Sequence, residues 1–255
     1  MRAVIVSYHT GEVLWRCLDA ALAQCDRVVV VDNGNPPEVT ARLRADARWE
    51  TISGHGNIGF AAAVNRGARE LPEDHVLVLN PDAVPEPGCV ARLVEVADGY
   101  PAPAVIGARL VDEAGRELRG SRRKGLTPWT ALFGINLHRR PLPDAPVEVG
   151  AVSGAAMLLD RESWVRLGGF DDRYFLHVED LDLCHRARRA GGSVVFVPDA
   201  DVLHPGGTSD APALVVETHK LMGFRHYLVT HHPFWGRCAF AAMRPALALR
   251  RRLRN

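Results

Sequence analysis

At 255 residues, 47% hydrophobic and 24% charged, with a formal net charge of +1, the chain has the composition of a soluble globular protein, long enough for a substantial core in one large domain or two small ones. Disorder is excluded as its default state, and the absence of any run of roughly 18 apolar residues excludes a spanning helix. Five cysteines, odd in number, widely spaced and without a Cys-x-x-Cys pair, imply neither a disulfide framework nor a zinc site and fit a reducing compartment.

Met1 to Val6 runs directly into a strand-like segment with no signal peptide ahead of it, so the expected location is cytoplasmic. Ala3 to Val6, Val28 to Val31, Thr51 to Ile52 and Val76 to Leu79 are predicted strands, separated by stretches rich in Ala, Leu, Arg and Glu. Continuous apolar runs of this kind suit strands covered on both faces, and the alternation predicts an α/β fold with a mostly parallel sheet flanked by helices. Polar residues gather just after the strand ends: Ser7 and Tyr8, then Asp32 and Asn33, then Asn80 and Asp82. Ligands of open α/β sheets bind outside the carboxyl ends of the strands, so these clusters point to one site.

In the second half Val105 to Leu110 predicts a strand, and Asp112 to Gly115 a turn into Arg116 to Leu118. Arg119 to Pro146 is irregular, with Pro128, Pro141, Pro143 and Pro146 and with Arg122, Arg123 and Lys124 near its start; so long a segment inside a compact domain is a functional loop or a disordered one, and here it is the candidate substrate loop. Val147 to Val152 and Ala155 to Leu159 predict strands around Ser153-Gly154, followed by a short helix near Glu162 to Leu167. Ser193 to Val197 predicts one more strand, with Asp201 to His204 after it; Pro212 to His231 is expected to be helical, and Pro233 to Arg254 a second helix kinked at Pro245.

The most informative stretch runs from Gly168 to Arg186, where Asp171, Asp172, Glu179, Asp180 and Asp182 are interleaved with Phe170, Tyr174 and Phe175. A solvated acidic face would space its charges without aromatics, and a core helix would not accept the last three carboxylates unless something offset their desolvation. The expectation is a loop of bulky residues seating a carboxylate cluster at the start of a helix from Glu179 to about Ala190, where the helix dipole favours negative charge. A capped helix with a solvated acidic start is the plainer alternative. Leu183, Ala187 and Ala190 share one stripe, and Arg186, four residues after Asp182, can pair with it.

Asn80-Pro81-Asp82-Ala83 holds a carboxylate where a strand leaves the sheet, a place from which one aspartate can bind a hard divalent cation together with a diphosphate, although Asn-Pro-Asp is also a common turn. His204 follows Val202-Leu203 and is either a structural histidine or a ligand at the same edge; an imidazole beside oxygen ligands admits Mn²⁺ as well as Mg²⁺. Gly56-Asn57-Ile58-Gly59-Phe60 opens a helix carrying Asn65 and Arg66. Its glycines allow close approach of a ligand and the helix start favours an anion, yet it is neither Gly-x-Gly-x-x-Gly nor a Walker loop.

Taken in order, Val4-Ile5-Val6-Ser7-Tyr8, Val30-Val31-Asp32-Asn33-Gly34, Gly56 to Phe60 with Asn65-Arg66-Gly67, Asn80 to Ala83, Gly154-Ala155-Ala156-Met157, the Gly168 to Arg186 stretch and Leu203-His204 resemble family 2 glycosyltransferases of the GT-A fold, most of all their bacterial rhamnosyltransferase branch. The resemblance implies an inverting transfer of a sugar, rhamnose favoured, from dTDP-rhamnose or a UDP-sugar to a hydroxyl of a glycan, lipid-linked or small-molecule acceptor, with a divalent metal (Mg²⁺ or Mn²⁺) and no nucleic acid. It implies donor contacts from Ser7, Tyr8, Asp32, Gly59, Asn65, Arg66, Asn80 and Gly154, with Ser7 and Asp32 at the base and ribose and Tyr8 as a stacking face. Asp82 matches the last carboxylate of the family's Asp-x-Asp motif and is implied as a metal ligand, with His204 completing the shell. Asn80 stands where many relatives carry the first Asp, so one fewer negative charge faces the cation. Asp180 matches the general base, and Glu179, Trp129 and Tyr174 are implied acceptor contacts.

Residues 1–210 are accordingly expected to form the GT-A domain and 211–255 a basic C-terminal helical extension. After Glu217 there is no acid, while Lys220, Arg225, Arg237, Arg244, Arg250, Arg251, Arg252 and Arg254 follow, beside Phe234, Trp235, Phe240 and Leu247. That mixture suits an anionic bilayer, which would make the protein peripheral on the inner face of the plasma membrane, or else a helix packing on the body or on a second copy in a homodimer. Two other function classes stand beside the transferase. A sugar-phosphate nucleotidyltransferase would carry a Gly-rich basic loop directly after its first strand, where this chain reads Ser7-Tyr8-His9-Thr10-Gly11-Glu12; against a noncatalytic nucleotide-sugar-binding protein stand the intact Asp82, Asp180 and His204.

Overall fold

Strands apolar on both faces need cover on both sides, and the computed structural model, which describes residues 1–70, 72–133, 141–205, 213–238 and 240–241, supplies it. In chain order the elements are β1 (Arg2–Ser7), α1 (Val13–Leu22), β2 (Arg27–Asp32), α2 (Pro37–Ala45), β3 (Glu50–Ile52), α3 (Phe60–Gly67), β4 (His75–Leu79), β5 (Val84–Pro85), α4 (Cys89–Asp98), β6 (Ala104–Val111), β7 (Arg122–Arg123), α5 (Pro128–Phe133), β8 (Val147–Glu148), β9 (Ala151–Val152), β10 (Ala156–Asp160), α6 (Arg161–Leu167), α7 (Glu179–Arg189), β11 (Ser193–Leu203) and α8 (Ala213–His231).

The main sheet has the order β3-β2-β1-β4-β10-β6-β11-β5, with β8 also paired to β11. The half from β3 to β4 is parallel, as expected. Beyond it the sheet is mixed. β10 runs antiparallel to both β4 and β6, and β11 is parallel to β6 but antiparallel to β5 and β8. The reason lies in the connection: β6 is followed by the long irregular excursion rather than by a crossover helix, so β10 re-enters from the edge that β6 has just left. Within that excursion β7 and β9 pair as a separate antiparallel ribbon, Arg122 opposite Val152. The two stretches expected from Ser193 to His204 form one strand, β11, with an irregularity between Val197 and Asp201.

Alternation along each strand divides the core in two. Ala3, Ile5, Val28, Val30, Leu77 and Leu79 face α1 and α4 through Leu14, Cys17, Leu18, Val90 and Leu93. Val4, Val6, Val29, Val31, Val76 and Val78 face the other layer, with Ala61 and Val64 of α3, Trp164 of α6, Leu181, Leu183 and Cys184 of α7, and Tyr227 and Leu228 of α8. Each fully buried Val or Leu contributes roughly 1.5–3 kcal/mol relative to exposure, which is why neither face tolerates polar residues.

Helix α7 starts at Glu179, as expected, but its apolar stripe stops at Ala187, because Ala190 is the exposed C-cap. Helix α8 belongs to the body. Tyr227 and Leu228 are fully buried, and Gly223 lies so close to His177 and Val178 that an added Cβ would come within 2.9 Å of the His177 carbonyl oxygen. Packing on the body, one of the contacts expected of the extension from residue 211, is thus made by α8. Most of the second tail helix expected from Pro233, including Arg244, Pro245 and Leu247, lies outside the described residues. Among those described, no helix is long and apolar enough to cross a membrane.

Candidate active site

Strand β4 hands over to Asn80-Pro81-Asp82, and β11, on the far side of β10 and β6, hands over to His204. The two ends meet: His204 Nε2 lies 3.1 Å from Asp82 Oδ1 and 3.3 Å from Asn80 Nδ2. Asp82 is 6% exposed, and the Asn80 carbonyl accepts from Ala83 N at 3.0 Å, so the turn is closed on itself and holds its carboxylate outward from the strand. A hard carboxylate oxygen and an imidazole nitrogen converge here beside an amide. That donor set fits a divalent cation that takes its remaining ligands from water and a diphosphate. Among the described residues there is no cluster of three His, Cys, Asp or Glu able to complete a shell from protein alone.

The turns after β1 and β2 are built around Asn35, a residue the strand-end pattern did not single out. Asn35 Nδ2 donates to Ser7 O (3.1 Å), Ser7 Oγ (3.0 Å) and Asp32 Oδ1 (2.9 Å), while its Oδ1 accepts from His9 N at 2.8 Å. Asp32 Oδ1 also accepts from Gly34 N and Asn35 N, and Oδ2 from Thr40 Oγ1 at 2.5 Å. Burial alone would raise the Asp32 carboxyl, but the bonds from Thr40, Asn35 and Gly34 outweigh it and hold the group below its ordinary value. Ser7 is fully buried against Asn35. Ser7 and Asp32 therefore stand at the expected edge but are occupied in shaping it; half-buried Tyr8, edge-on to His9, is the side chain of the three that remains at the surface.

The glycine loop before α3 also departs from expectation. Gly59 has φ +87°, and a Cβ there would sit 2.7 Å from the Phe175 carbonyl oxygen, which accepts from Phe60 N at 2.7 Å. Close approach is made by the acidic aromatic segment rather than by a ligand, and the helix start is already occupied. Asn65 clamps the same segment, donating to Phe170 O (2.8 Å) and Asp172 Oδ1 (2.5 Å) and accepting from Phe170 N (2.9 Å). Arg66 is exposed in the last turn of α3. A helix joining parallel strands runs back from the ligand edge, so its last turn points to the opposite end of the sheet. Neither Asn65 nor Arg66 is brought to the strand-end cluster.

The carboxylates divide. His177 and Val178, at φ +67° and +77°, form a left-handed turn that delivers Glu179 and Asp180 to the first turn of α7. For a β-branched valine such a φ costs on the order of 1–3 kcal/mol, a strain that the packing of α8 on this turn holds in place. Asp180 Oδ2 accepts from Arg123 Nη2 at 2.5 Å and from Gly154 N at 3.1 Å, and Oδ1 from Leu181 N at 2.7 Å. Gly154 thus reaches the carboxylate with its backbone, and a Cβ there would stand 3.2 Å from Asp180 Cβ. Glu179 is 6% exposed, and its Oε2 has no hydrogen-bond partner among the described residues. Burial, reinforced by the charge of Asp180, pushes the Glu179 carboxyl well up, to about 8, so that it is largely protonated at neutral pH.

Asp182 is structural. Arg186 Nε donates to its Oδ2 at 2.7 Å, the pairing expected from their spacing, and His231 Nε2 from α8 lies 2.6 Å from its Oδ1. Tyr174, expected to contact an acceptor, is instead sealed in the core at 1% exposure with its hydroxyl donating to Asp182 at 3.4 Å, because the loop folds its aromatics inward against α8. Trp129 is 63% exposed and lines a cleft of about 310 Å³ with Thr127, Pro128, His232, Pro233, Phe234 and Trp235, not with Asp180. Asn35, Arg123 and His231 are the residues sequence reasoning missed. Asn35 stood in the Asp-Asn-Gly-Asn run as a readable turn signal, whereas nothing local marked the partners of Arg123 and His231.

The profile of the family described as "Glycosyltransferase like family 2" matches residues 1–220. The chain is 29% identical to an N-acetylglucosaminyl-diphospho-decaprenol L-rhamnosyltransferase of Mycobacterium tuberculosis, over 98% of this chain and 91% of that one. It is 27% identical to the rhamnosyltransferase WbbL of Escherichia coli K12, over 79% and 81%. Among solved structures it is similar to the mannosyltransferase PcManGT from Pyrobaculum calidifontis in complex with GDP-Man and Mn²⁺ (TM-score 0.57, 17% identity, 97% of this chain and 74% of that). S. aureus TarS in complex with UDP-GlcNAc superposes with TM-score 0.57 at 13% identity, over 89% of this chain and 65% of that. At such identities the two structures speak for the fold alone, a mixed sheet between helix layers, while the family match and the close agreement in length with the rhamnosyltransferases speak for the activity. The chain belongs to glycosyltransferase family 2 and is a glycosyltransferase of the rhamnosyltransferase-like kind.

Proposed function

We propose that the enzyme transfers a sugar, rhamnose by preference, from a nucleotide diphosphate sugar to an acceptor hydroxyl with inversion, and that Asp180 is the general base. The observation that supports this is a single connection. Asn80 N donates to Ala155 O at 2.9 Å and Gly154 N donates to Asp180 at 3.1 Å, so the edge holding Asp82 and His204 is tied through two adjacent residues to the buried carboxylate. The acceptor oxygen attacks the anomeric carbon from the face opposite the diphosphate; the new C–O bond forms as the old one breaks, the hydroxyl proton passes to Asp180, and the electron pair leaves with the nucleoside diphosphate. A base that receives its proton late needs only hydrogen-bond reach, which a carboxylate satisfies.

Asp82 and His204 are the residues that would hold Mg²⁺ or Mn²⁺, and the bound cation supplies charge compensation for the departing diphosphate. Tyr8 offers the donor base a face, with Ser7, Asp32 and Asn35 fixing the turns beneath it. Protonated Glu179 presents an O–H to the acceptor sugar. A lipid-linked acceptor, the class printed in the name of the M. tuberculosis relative, is favoured here by the exposed aromatics Trp129, Phe234 and Trp235. dTDP-rhamnose is the favoured donor, with UDP-sugars as the alternatives.

The test joins turnover to binding. Asp180→Asn keeps shape and loses the base, so transfer from dTDP-rhamnose should fall by about 100- to 10,000-fold while titrations with dTDP and UDP, run with and without Mn²⁺, match wild type. An Asp180→Asn enzyme with wild-type turnover overturns the assignment of the base, and nucleotide binding indifferent to Mn²⁺ overturns that of Asp82 and His204.

A further inference from the structure

The two adjacent arginines of β7 do different things. Arg122 is held by Glu117, with Nε and Nη2 at 2.8 and 2.9 Å from its two carboxylate oxygens, and its guanidinium lies over the Phe196 ring; it braces the ribbon. Arg123 turns to the other side and places one nitrogen, Nη2, on Asp180 Oδ2 at 2.5 Å and on Val152 O at 2.7 Å. Its Nε–H is buried with no hydrogen-bond partner among the described residues. Burial works against the guanidinium charge, and the Asp180 carboxylate more than offsets it. A cation placed only for stability would have its fork satisfied, because a buried unpaired donor is costly; here one donor is left bare so that another can meet the carboxylate.

Hydrogen-bond accounting gives the arrangement its meaning. A carboxylate has about two acceptor sites on each oxygen. On Asp180, Arg123 and Gly154 N fill those of Oδ2, while Leu181 N takes one of those on Oδ1. The site left open is therefore on Oδ1. Its direction is set by how the opposite oxygen is gripped, since three donors from three separate segments define the carboxylate plane. Gly154 and Leu181 are backbone and cannot be exchanged in evolution or by mutation without moving the chain; Arg123 is the one side chain in the set.

We propose that Arg123 is the positioning residue of the catalytic base: it anchors Asp180 Oδ2 so that Oδ1 alone faces the acceptor hydroxyl. This rests on the assignment of Asp180 as the base. It also gives the excursion between β6 and β10 a part in the chemical step, because β7 carries the anchor while β9 and the turn after it carry Val152 and Gly154.

The experiment compares full-length wild type, Arg123→Lys, Arg123→Met, Arg123→Ala and Asp180→Asn, measuring kcat, acceptor KM, nucleotide affinity and melting temperature. For Arg123→Met, kcat should fall by about 100-fold, the scale expected when a reacting group is misplaced by an ångström, with nucleotide affinity unchanged. Arg123→Lys should retain an intermediate rate, and millimolar guanidinium should restore turnover to Arg123→Ala but not to Asp180→Asn. Arg123→Met turning over like wild type, or kcat and nucleotide affinity lost in parallel with no rescue by guanidinium, overturns the proposal. If Arg123→Met fails to fold, Arg123→Lys and the rescue of Arg123→Ala decide the question by the same criteria. An inactive Asp180→Asn beside a fully active Arg123→Met refutes the positioning role alone, whereas a fully active Asp180→Asn refutes the base itself.

Discussion

Replacing Asp182 by Asn tests the division of the acidic cluster into working and bracing carboxylates. The Asp182 side chain is 2% exposed and receives Arg186 at 2.7 Å, His231 at 2.6 Å and the Tyr174 hydroxyl at 3.4 Å. Burial by itself would raise its carboxyl, yet the bond to His231 and the charge of Arg186 hold it below the ordinary range, so it is ionised at neutral pH. Asparagine keeps the volume, loses the charge and turns an NH₂ toward donors. Removing one partner of a fully buried pair costs about 3–5 kcal/mol. Arg186 is a quarter exposed and retains bonds to the carbonyls of Leu167 and Gly169, which places the loss at the lower end, about 3 kcal/mol. At about 2–4 °C per kcal/mol for a chain of this size, the melting temperature should drop by roughly 6–12 °C. Thermal unfolding followed by circular dichroism at pH 7 reads the loss, and hydrogen exchange reads its place, since amides of α8 near His231 should exchange faster while those of β1 and β2 do not. Nucleotide affinity should be unchanged. A drop of less than about 2 °C, or a full drop without faster exchange in α8, would refute the reasoning.

Two further outcomes are expected. The Glu179 carboxyl is raised in the folded protein from 4.5 to about 8 by burial and then by Asp180, so between these values the folded state binds more protons than the unfolded one. The stability this group contributes is fully present below pH 4.5 and is lost as pH rises through about 8; Glu179→Gln, which cannot ionise, should flatten the stability profile over that window and gain on wild type at its upper end, and a melting curve series parallel to wild type refutes it. Exposed Trp129, Phe234 and Trp235 should carry the protein to the top of a flotation gradient with liposomes rich in anionic lipid, less so at high salt. A variant with serine at all three that floats as wild type does refutes the part given to these side chains, and a wild type that stays at the bottom refutes the membrane contact.

What the sequence discloses is local. The four strands of the first half, the start of α7 and the Asp182–Arg186 pair are legible because apolar runs, dipole charge and a spacing of four act over short separations. Asp82 and His204 are legible for a different reason, since both leave a strand at the same edge. The rest depends on contacts that no window reveals. Arg123 meets Asp180 across 57 residues through a ribbon of two-residue strands, and Asn65 meets Phe170 across 105. Tyr174 carries the composition of a binding residue and the packing of a core one. Ser7 and Asp32 are drawn inward by Asn35, whose one amide reaches both across 28 and 3 residues.

The reversed direction of β10 divides the labour of the chain. Everything that shapes the proposed nucleotide side closes by residue 82, in one unbroken run of parallel strands and their turns, apart from His204. Everything that seats Asp180, the proposed base, arrives later, hung from the same edge on the excursion that β10 brings to an end and on α7 behind it. On the proposed assignments, the first part selects the activated sugar and the second sets where it is delivered. The two parts join along the β4–β10 ladder, at the Asn80–Ala155 hydrogen bond, through Asn65 on Phe170 and at His204. The β7–β9 ribbon lies outside that ladder, so on the same assignments changes in the ribbon can redirect the sugar to a new hydroxyl without disturbing the nucleotide turns.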